Sequence, residues 1–183
     1  AVTGQDGPES FNVSYKPKVT VLVPAYNEEN VIERTLTSLL STRYENLEVL
    51  VINDGSTDAT ARVVATFAKK NKKVKIFTVP NQGKANAANF GLKKATGEII
   101  VAIDADTLVS AHSLPLLVRH FESPEVTAVC GNVEVGNVNS TITLFQAIEY
   151  VTSQNFDRRA FSALNCISVV PGGLQNLRIL SRS

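Results

Sequence analysis

The sequence predicts an α/β domain built on a mostly parallel sheet with helices on both faces. Two observations carry that expectation. Short apolar runs rich in β-branched residues alternate with amphipathic stripes of helical period from Val19 to Ile103, which is the order of a sheet whose strands are joined by crossover helices. Each apolar run also ends in a polar cluster, and the carboxyl ends of parallel strands are where open α/β sheets bind ligands.

Taken in order, Val19 to Val23 reads as the first strand, and Val31, Ile32, Thr35, Leu36, Leu39 and Leu40 form a helical stripe. Val49 to Ile52 is a second strand, Ala61, Val64, Phe67 and Ala68 a second stripe, and Val74 to Val79 a third strand. Ala85 to Ala95 gives a helix with many small residues, and Ile99 to Ile103 the fourth strand. Beyond it, Leu114 to Phe121 reads as a helix and Val126 to Val135 as a strand interrupted by Gly131. Ile142 to Leu164 supports a long amphipathic helix, and Ile167 to Val170 a short strand running into Pro171-Gly172-Gly173. Residues 1–18 read as a tail or linker, 19–173 as the α/β domain, and 174–183 as a tail with no clear destination.

The 18 basic and 17 acidic residues leave a net charge of +1, which excludes a nucleic-acid binder working through a large positive field. Lys69, Lys70, Lys72, Lys73 and Lys75 form the one basic cluster; it suits a helix C-terminus entering a strand. Cys130 and Cys166 stand alone, so neither a disulfide framework nor a zinc site is indicated and a reducing compartment is expected. No run of 18 apolar residues and no signal-peptide succession is visible. The absence of Met suggests a piece of a longer chain.

The chemistry concentrates at the strand ends. Five apolar residues give way at once to Asp104 and Asp106, whose mutual repulsion calls for a cation, and hard oxygen ligands suit Mn2+ or Mg2+. Strand one runs into Pro24-Ala25-Tyr26-Asn27-Glu28, strand two into Asp54-Gly-Ser-Thr-Asp58, and strand three into Gly83-Lys84. A lysine after a glycine suits a diphosphate, and a Pro-x-Tyr edge beside an acid can hold a nucleobase. Singly, each loop has an ordinary structural role open to it: Glu28 and Glu29 favour a helix N-terminus, Thr57 or Asp58 can cap a helix, and Lys84 can be solvated. No Gly-x-Gly-x-x-Gly follows strand one and no P-loop pattern occurs.

These four motifs, Pro24-Ala-Tyr-Asn-Glu28, Asp54-Gly-Ser-Thr-Asp58, Gly83-Lys-Ala-Asn-Ala-Ala-Asn89 with Gly91, and Asp104-Ala-Asp106, resemble the processive, inverting family 2 glycosyltransferases of the GT-A (Rossmann-like) fold. The resemblance covers roughly Pro17 to Gly173. It is strongest to membrane synthases of β-linked polysaccharides such as poly-N-acetylglucosamine, chitin oligosaccharide and hyaluronan. It implies that Pro24, Ala25, Tyr26, Glu28 and Asp54 hold the base and ribose of a UDP-sugar, that Lys84 lies near the nucleotide and that Asp104 helps bind the donor. It assigns Asp106 as the ligand of Mn2+ or Mg2+ on the diphosphate, with a polysaccharide or lipid acceptor bordered by Gln146, Glu149 and Tyr150. The parent protein would then work at the cytoplasmic face of a membrane.

The sequence also departs from that pattern. After the stretch matching Ser168-Val-Val-Pro-Gly-Gly173, the family continues to a Glu-Asp pair carrying the general base and to Gln-x-x-Arg-Trp, and neither occurs here. The resemblance therefore implies a GT-A domain incomplete at its C-terminus, with no catalytic base assigned and little or no turnover by this chain alone. Two alternatives share the visible motifs: a polyprenyl-phosphate sugar transferase, and a protein that binds a nucleotide-sugar without turnover.

Overall fold

A strand covered on both faces is buried along its whole length, and the second strand shows this with all of Leu47–Asp54 buried, the polar Glu48, Asn53 and Asp54 included. The computed structural model describes residues 15–123, 126, 128–130 and 178–181, all within the compact unit formed by 12–131 and 172–183. The expected helix over 142–164, the strand over 167–170 with its following turn, and Gln146, Glu149 and Tyr150 lie outside the described residues.

The order is β1 (Val19–Ala25), α1 (Ile32–Leu40), β2 (Leu47–Asp54), α2 (Thr60–Lys70), β3 (Val74–Val79), α3 (Lys84–Lys94), β4 (Ile99–Ala102), α4 (Ser113–Val118), β5 (Ala128–Cys130) and β6 (Arg178–Ser181). Within the described residues they form one sheet of order β3-β2-β1-β4-β6-β5. The first four of these strands are mutually parallel. The stretch without a clear destination in sequence thus contributes β6, which runs antiparallel to both β4 and β5. Of the expected strand over 126–135, the described residues show Ala128–Cys130.

Two cores sit on the two faces of the sheet. On one, Val19, Val21, Val23, Val49, Val51 and Val101 pack with Ile32, Leu36 and Leu39 of α1, Val64 of α2 and Leu114 of α4. On the other, Leu22, Leu50, Ile52 and Ile100 pack with Ala87 of α3. The crossovers place α1 and α2 on one face and return α3 over the other, as right-handed connections require when the strand order reverses. The small residues of α3 have a packing reason. A Cβ on Gly91 would come within 3.1 Å of both Ile52 Cγ1 and Leu22 Cδ2, so the helix lies close against the sheet.

Several element ends differ from the sequence expectation by one or two residues. β1 and β2 run on to Ala25 and Asp54, while β4 stops at Ala102. The Ile103 N–H still donates to Leu22 O at 3.1 Å. The chain then leaves β1, and this divergence opens the crevice at the sheet's carboxyl edge. The expected fourth helix tightens after Val118 into a 3-10 turn, Arg119–Glu122.

At the opposite edge, β2 carries a glutamate that periodicity does not announce. Glu48 is 5% exposed; its Oε1 accepts from Thr20 Oγ1 at 2.6 Å, Thr96 N at 2.8 Å and Thr96 Oγ1 at 2.6 Å. Lys75 Nζ lies 3.3 Å from Oε2. Burial alone would raise this carboxyl, but the bonds from Thr20, Thr96 and Lys75 outweigh it and hold it at about 2 against an ordinary 4.5. A depressed carboxyl stabilises the fold above its unfolded pKa and loses that contribution as pH falls toward the folded value. From pH 5 down to pH 2 the chain is therefore expected to lose about 3 kcal/mol through this group. Urea denaturation across that interval checks it, and Glu48→Gln should start less stable and show a shallower acid slope.

Candidate active site

At the carboxyl edge, the β1–α1 turn, the end of β2, the start of α3 and the turn after β4 line one open cleft. Its walls are Pro24, Ala25, Tyr26, Glu28, Asp54, Lys84, Asp104, Ala105 and Asp106. Every donor-binding and metal candidate read from the sequence lines this cleft, and Ala105 is the one lining residue the sequence did not single out. β1 lies between β2 and β4, so the cleft falls where the direction of strand addition reverses. Tyr26 is 46% exposed and lines the cleft together with Glu28.

Neighbouring loops fix each lining residue. Both oxygens of Asp54 accept backbone N–H groups of the β3–α3 loop, Gln82 N at 3.0 Å and Gly83 N at 2.9 Å. Gly83 has φ +90, a conformation that side chains with a Cβ rarely adopt, and it delivers Lys84 as the first residue of α3. The Lys84 ammonium then donates to Asp104 Oδ1. From beneath, the buried Thr35 hydroxyl donates to Ala105 O at 2.7 Å, and Ser38 Oγ accepts from Val109 N at 3.1 Å. Helix α1 thereby holds the Asp104-Ala-Asp106 turn.

The β1–α1 and β2–α2 loops brace each other reciprocally. Asn27 N donates to Ser56 Oγ at 3.0 Å, while Asn27 Oδ1 accepts from Thr57 N at 2.8 Å. Glu29 N donates to Asp58 Oδ2 at 3.2 Å, while Glu29 Oε2 accepts from Ala59 N at 2.7 Å. Glu28 N donates to Thr60 Oγ1 at 2.8 Å, which leaves the Glu28 side chain to line the cleft. The N-cap of α2 is Ala59, which makes no side-chain cap bond, rather than Thr57 or Asp58; Asp58, one residue earlier, accepts from Thr60 N at 2.9 Å. The sequence did not single out Asn27, Ser56 and Thr57 as a unit; the density of short polar side chains in both loops is the signal that marks them.

The cleft carries four carboxylates, Glu28, Asp54, Asp104 and Asp106, against the ammonium of Lys84. Burial, followed by the charges of Asp106, Asp58 and Asp104, pushes the Glu28 carboxyl above its ordinary value. Asp104 Oδ2 is buried with no hydrogen-bond partner among the described residues, as is Thr107 Oγ1, and Asp106 is exposed. An orphaned buried carboxylate oxygen beside an open one fits a hard divalent cation. No three His, Cys, Asp or Glu side chains among the described residues are grouped to hold a metal. Asp104 and Asp106 would thus supply part of a coordination shell that phosphate oxygens and water complete.

A sheet of reversed strand order with an acidic, lysine-bearing cleft at its carboxyl edge defines a ligand-binding α/β protein of Rossmann-like type. Residues 20–173 match glycosyl transferase family 2, and the chain belongs to that family. It is 33% identical over 163 residues to the poly-beta-1,6-N-acetyl-D-glucosamine synthase of Staphylococcus aureus (strain MSSA476), covering 88% of this chain and 40% of that protein. The Staphylococcus epidermidis protein of the same name is 35% identical over 156 residues, covering 84% and 38%. The chain therefore spans well under half the length of these curated relatives.

Solved structures show the same GT-A architecture. A mannosyltransferase from Pyrobaculum calidifontis, in complex with GDP-Man and Mn2+, superposes with a TM-score of 0.63 at 35% identity, covering 70% of this chain and 40% of that one. S. aureus TarS in complex with UDP-GlcNAc gives a TM-score of 0.57 at 28% identity, covering 67% and 36%.

The brace has a measurable consequence. Asn27 sits at φ +55, which Asn tolerates better than Ala. Asn27→Ala should cost about 1–2 kcal/mol through lost acceptance and backbone strain. Chemical denaturation measures the loss, and amide exchange should quicken at Thr57, whose N–H loses its acceptor.

Proposed function

We propose that this chain is the donor-binding part of a metal-dependent inverting glycosyltransferase that transfers a sugar from a UDP-sugar to a growing polysaccharide. The observation that carries this reading is the meeting of Pro24, Tyr26, Glu28, Asp54, Lys84, Asp104 and Asp106 in one cleft. They come from separate strand ends in a chain of the glycosyl transferase 2 family. The likeness to the staphylococcal poly-beta-1,6-N-acetyl-D-glucosamine synthases supports a polysaccharide product, and the likeness to the TarS structure holding UDP-GlcNAc supports a UDP-sugar.

In this reading Pro24, Ala25 and the exposed Tyr26 ring flank the uracil. Asp54, whose oxygens already hold the β3–α3 loop, offers its remaining lone pairs to a base or ribose donor. Lys84 approaches the diphosphate, where its ammonium stabilises the charge that grows on the leaving group. Asp106, with Asp104 beside it, holds a divalent cation, which when bound adds Lewis-acid stabilisation of the same charge. The parent protein would act at the cytoplasmic face of a membrane. Among the described residues no helix is long and apolar enough to cross one.

Asp106→Asn tests the metal assignment. UDP affinity in manganese should fall roughly tenfold or more, the worth of one charge-assisted contact, and should change little in EDTA. Calorimetry in the two buffers separates these outcomes, and an equal loss in both would refute the assignment.

The Pyrobaculum structure with GDP-Man favours a second reading, transfer of mannose from GDP-mannose to a polyprenyl phosphate. Base preference decides between them. On the first reading UDP binds more tightly than GDP, and Asp54→Ala narrows the gap by about 0.5–1.5 kcal/mol, one hydrogen bond. Tighter GDP binding by the unaltered chain would favour the second.

A further inference from the structure

We propose that Lys84 is a resident counter-ion that keeps a divalent cation off Asp104 in the nucleotide-free chain, an inference that rests on the nucleotide-sugar reading only for the identity of the ligand that relieves it. The Lys84 ammonium donates to Asp104 Oδ1, with the Asp104 side chain 10% exposed and that of Lys84 58% exposed. The carboxylate is thus walled in while the lysine stem lies open to solvent. On the other side of the same carboxylate, Oδ2 is buried without a partner among the described residues. Asp104 therefore has one oxygen committed to an ammonium and one with no hydrogen-bond partner among the described residues.

Charge sets the competition. A cation entering between Asp104 and Asp106 would stand close to the Lys84 ammonium, and the two positive charges cannot share one carboxylate without repulsion. The described residues offer no third acidic or imidazole ligand to tip that balance. A diphosphate changes it twice. Its oxygens draw the flexible lysine stem away from Asp104, and they supply the missing ligands for the cation. The Lys84 side chain is 58% exposed, so the stem has solvent to swing into. Nucleotide and cation should therefore bind with positive cooperativity, and by linkage each should strengthen the other by the same factor.

Electron paramagnetic resonance of free Mn2+, titrated against the 183-residue chain without nucleotide, tests this. The comparison needs the unaltered chain, Lys84→Met, Asp104→Asn and the double variant, with circular dichroism to establish folding. Lys84→Gln serves as a second neutral replacement. Lys84→Met should bind Mn2+ about fivefold or more tightly than the unaltered chain, the scale of a partly exposed ion pair. In the Asp104→Asn background the same substitution should change affinity by less than about twofold. An unchanged affinity, the same gain in both backgrounds, or no Mn2+ binding by either neutral variant would overturn the proposal. Adding UDP or GDP provides the independent arm. If neither alters Mn2+ binding while the four-protein pattern holds, the counter-ion role of Lys84 stands and the nucleotide-sugar reading falls.

Discussion

The two bonds from the β3–α3 loop to Asp54 are the contact on which the rest of the site depends. A carboxylate at the end of a buried strand, 4% exposed, must satisfy its oxygens locally, and it does so with the backbone N–H groups of Gln82 and Gly83. That pairing fixes the entry to α3, and the entry to α3 fixes Lys84 opposite Asp104. Remove the Asp54 carboxylate and two N–H groups lose their acceptor, while the lysine loses its platform. One side chain thus links the end of β2 to the wall of the cleft where Lys84 meets Asp104.

The rest of the edge is built on the same economy of backbone and short polar side chains. Asn27, Ser56, Thr57, Glu29 and Asp58 exchange hydrogen bonds between two loops that are otherwise free to move independently. Such loops ordinarily occupy the low-stability end of a domain. Here the reciprocal brace makes them one unit, so Tyr26 and Glu28 keep their position relative to Asp54. A preformed cleft spares a ligand the ordering of these loops, and that saving appears directly in affinity.

Charge is distributed unevenly along the strand direction. The acids of the cleft gather at the carboxyl edge, whereas Lys69 and Lys70 end α2 and Lys93 and Lys94 end α3 at the amino edge, where the helix dipoles favour cations. Glu48 sits at that amino edge with its own partners from β1, β3 and the turn before β4. The two edges thus do different work: the amino edge ties strands together through a satisfied buried carboxylate, and the carboxyl edge gathers four carboxylates around the ammonium of Lys84.

Much of this was legible in one dimension. The continuous apolar runs and the period-3.6 stripes from Val19 to Ile103 set the strands, the helices and their parallel order, because strands of a sheet covered on both faces are buried on both sides. The polar clusters at the strand ends, and hence the residues that share the cleft, followed from the same order, since parallel strands bring their carboxyl ends to one edge. Partners were not legible. That Asp54 holds Gln82 and Gly83, that Asn27 meets Thr57, that Glu48 reaches Thr96 and that Arg178–Ser181 lies antiparallel beside β4 all join residues 28 to 82 positions apart. A hydrogen bond across such a distance leaves no period in the sequence. It exists only where the packed sheet brings donor and acceptor within reach, so the chain specified which residues stand at the edge, and the tertiary fold decided which of them hold one another.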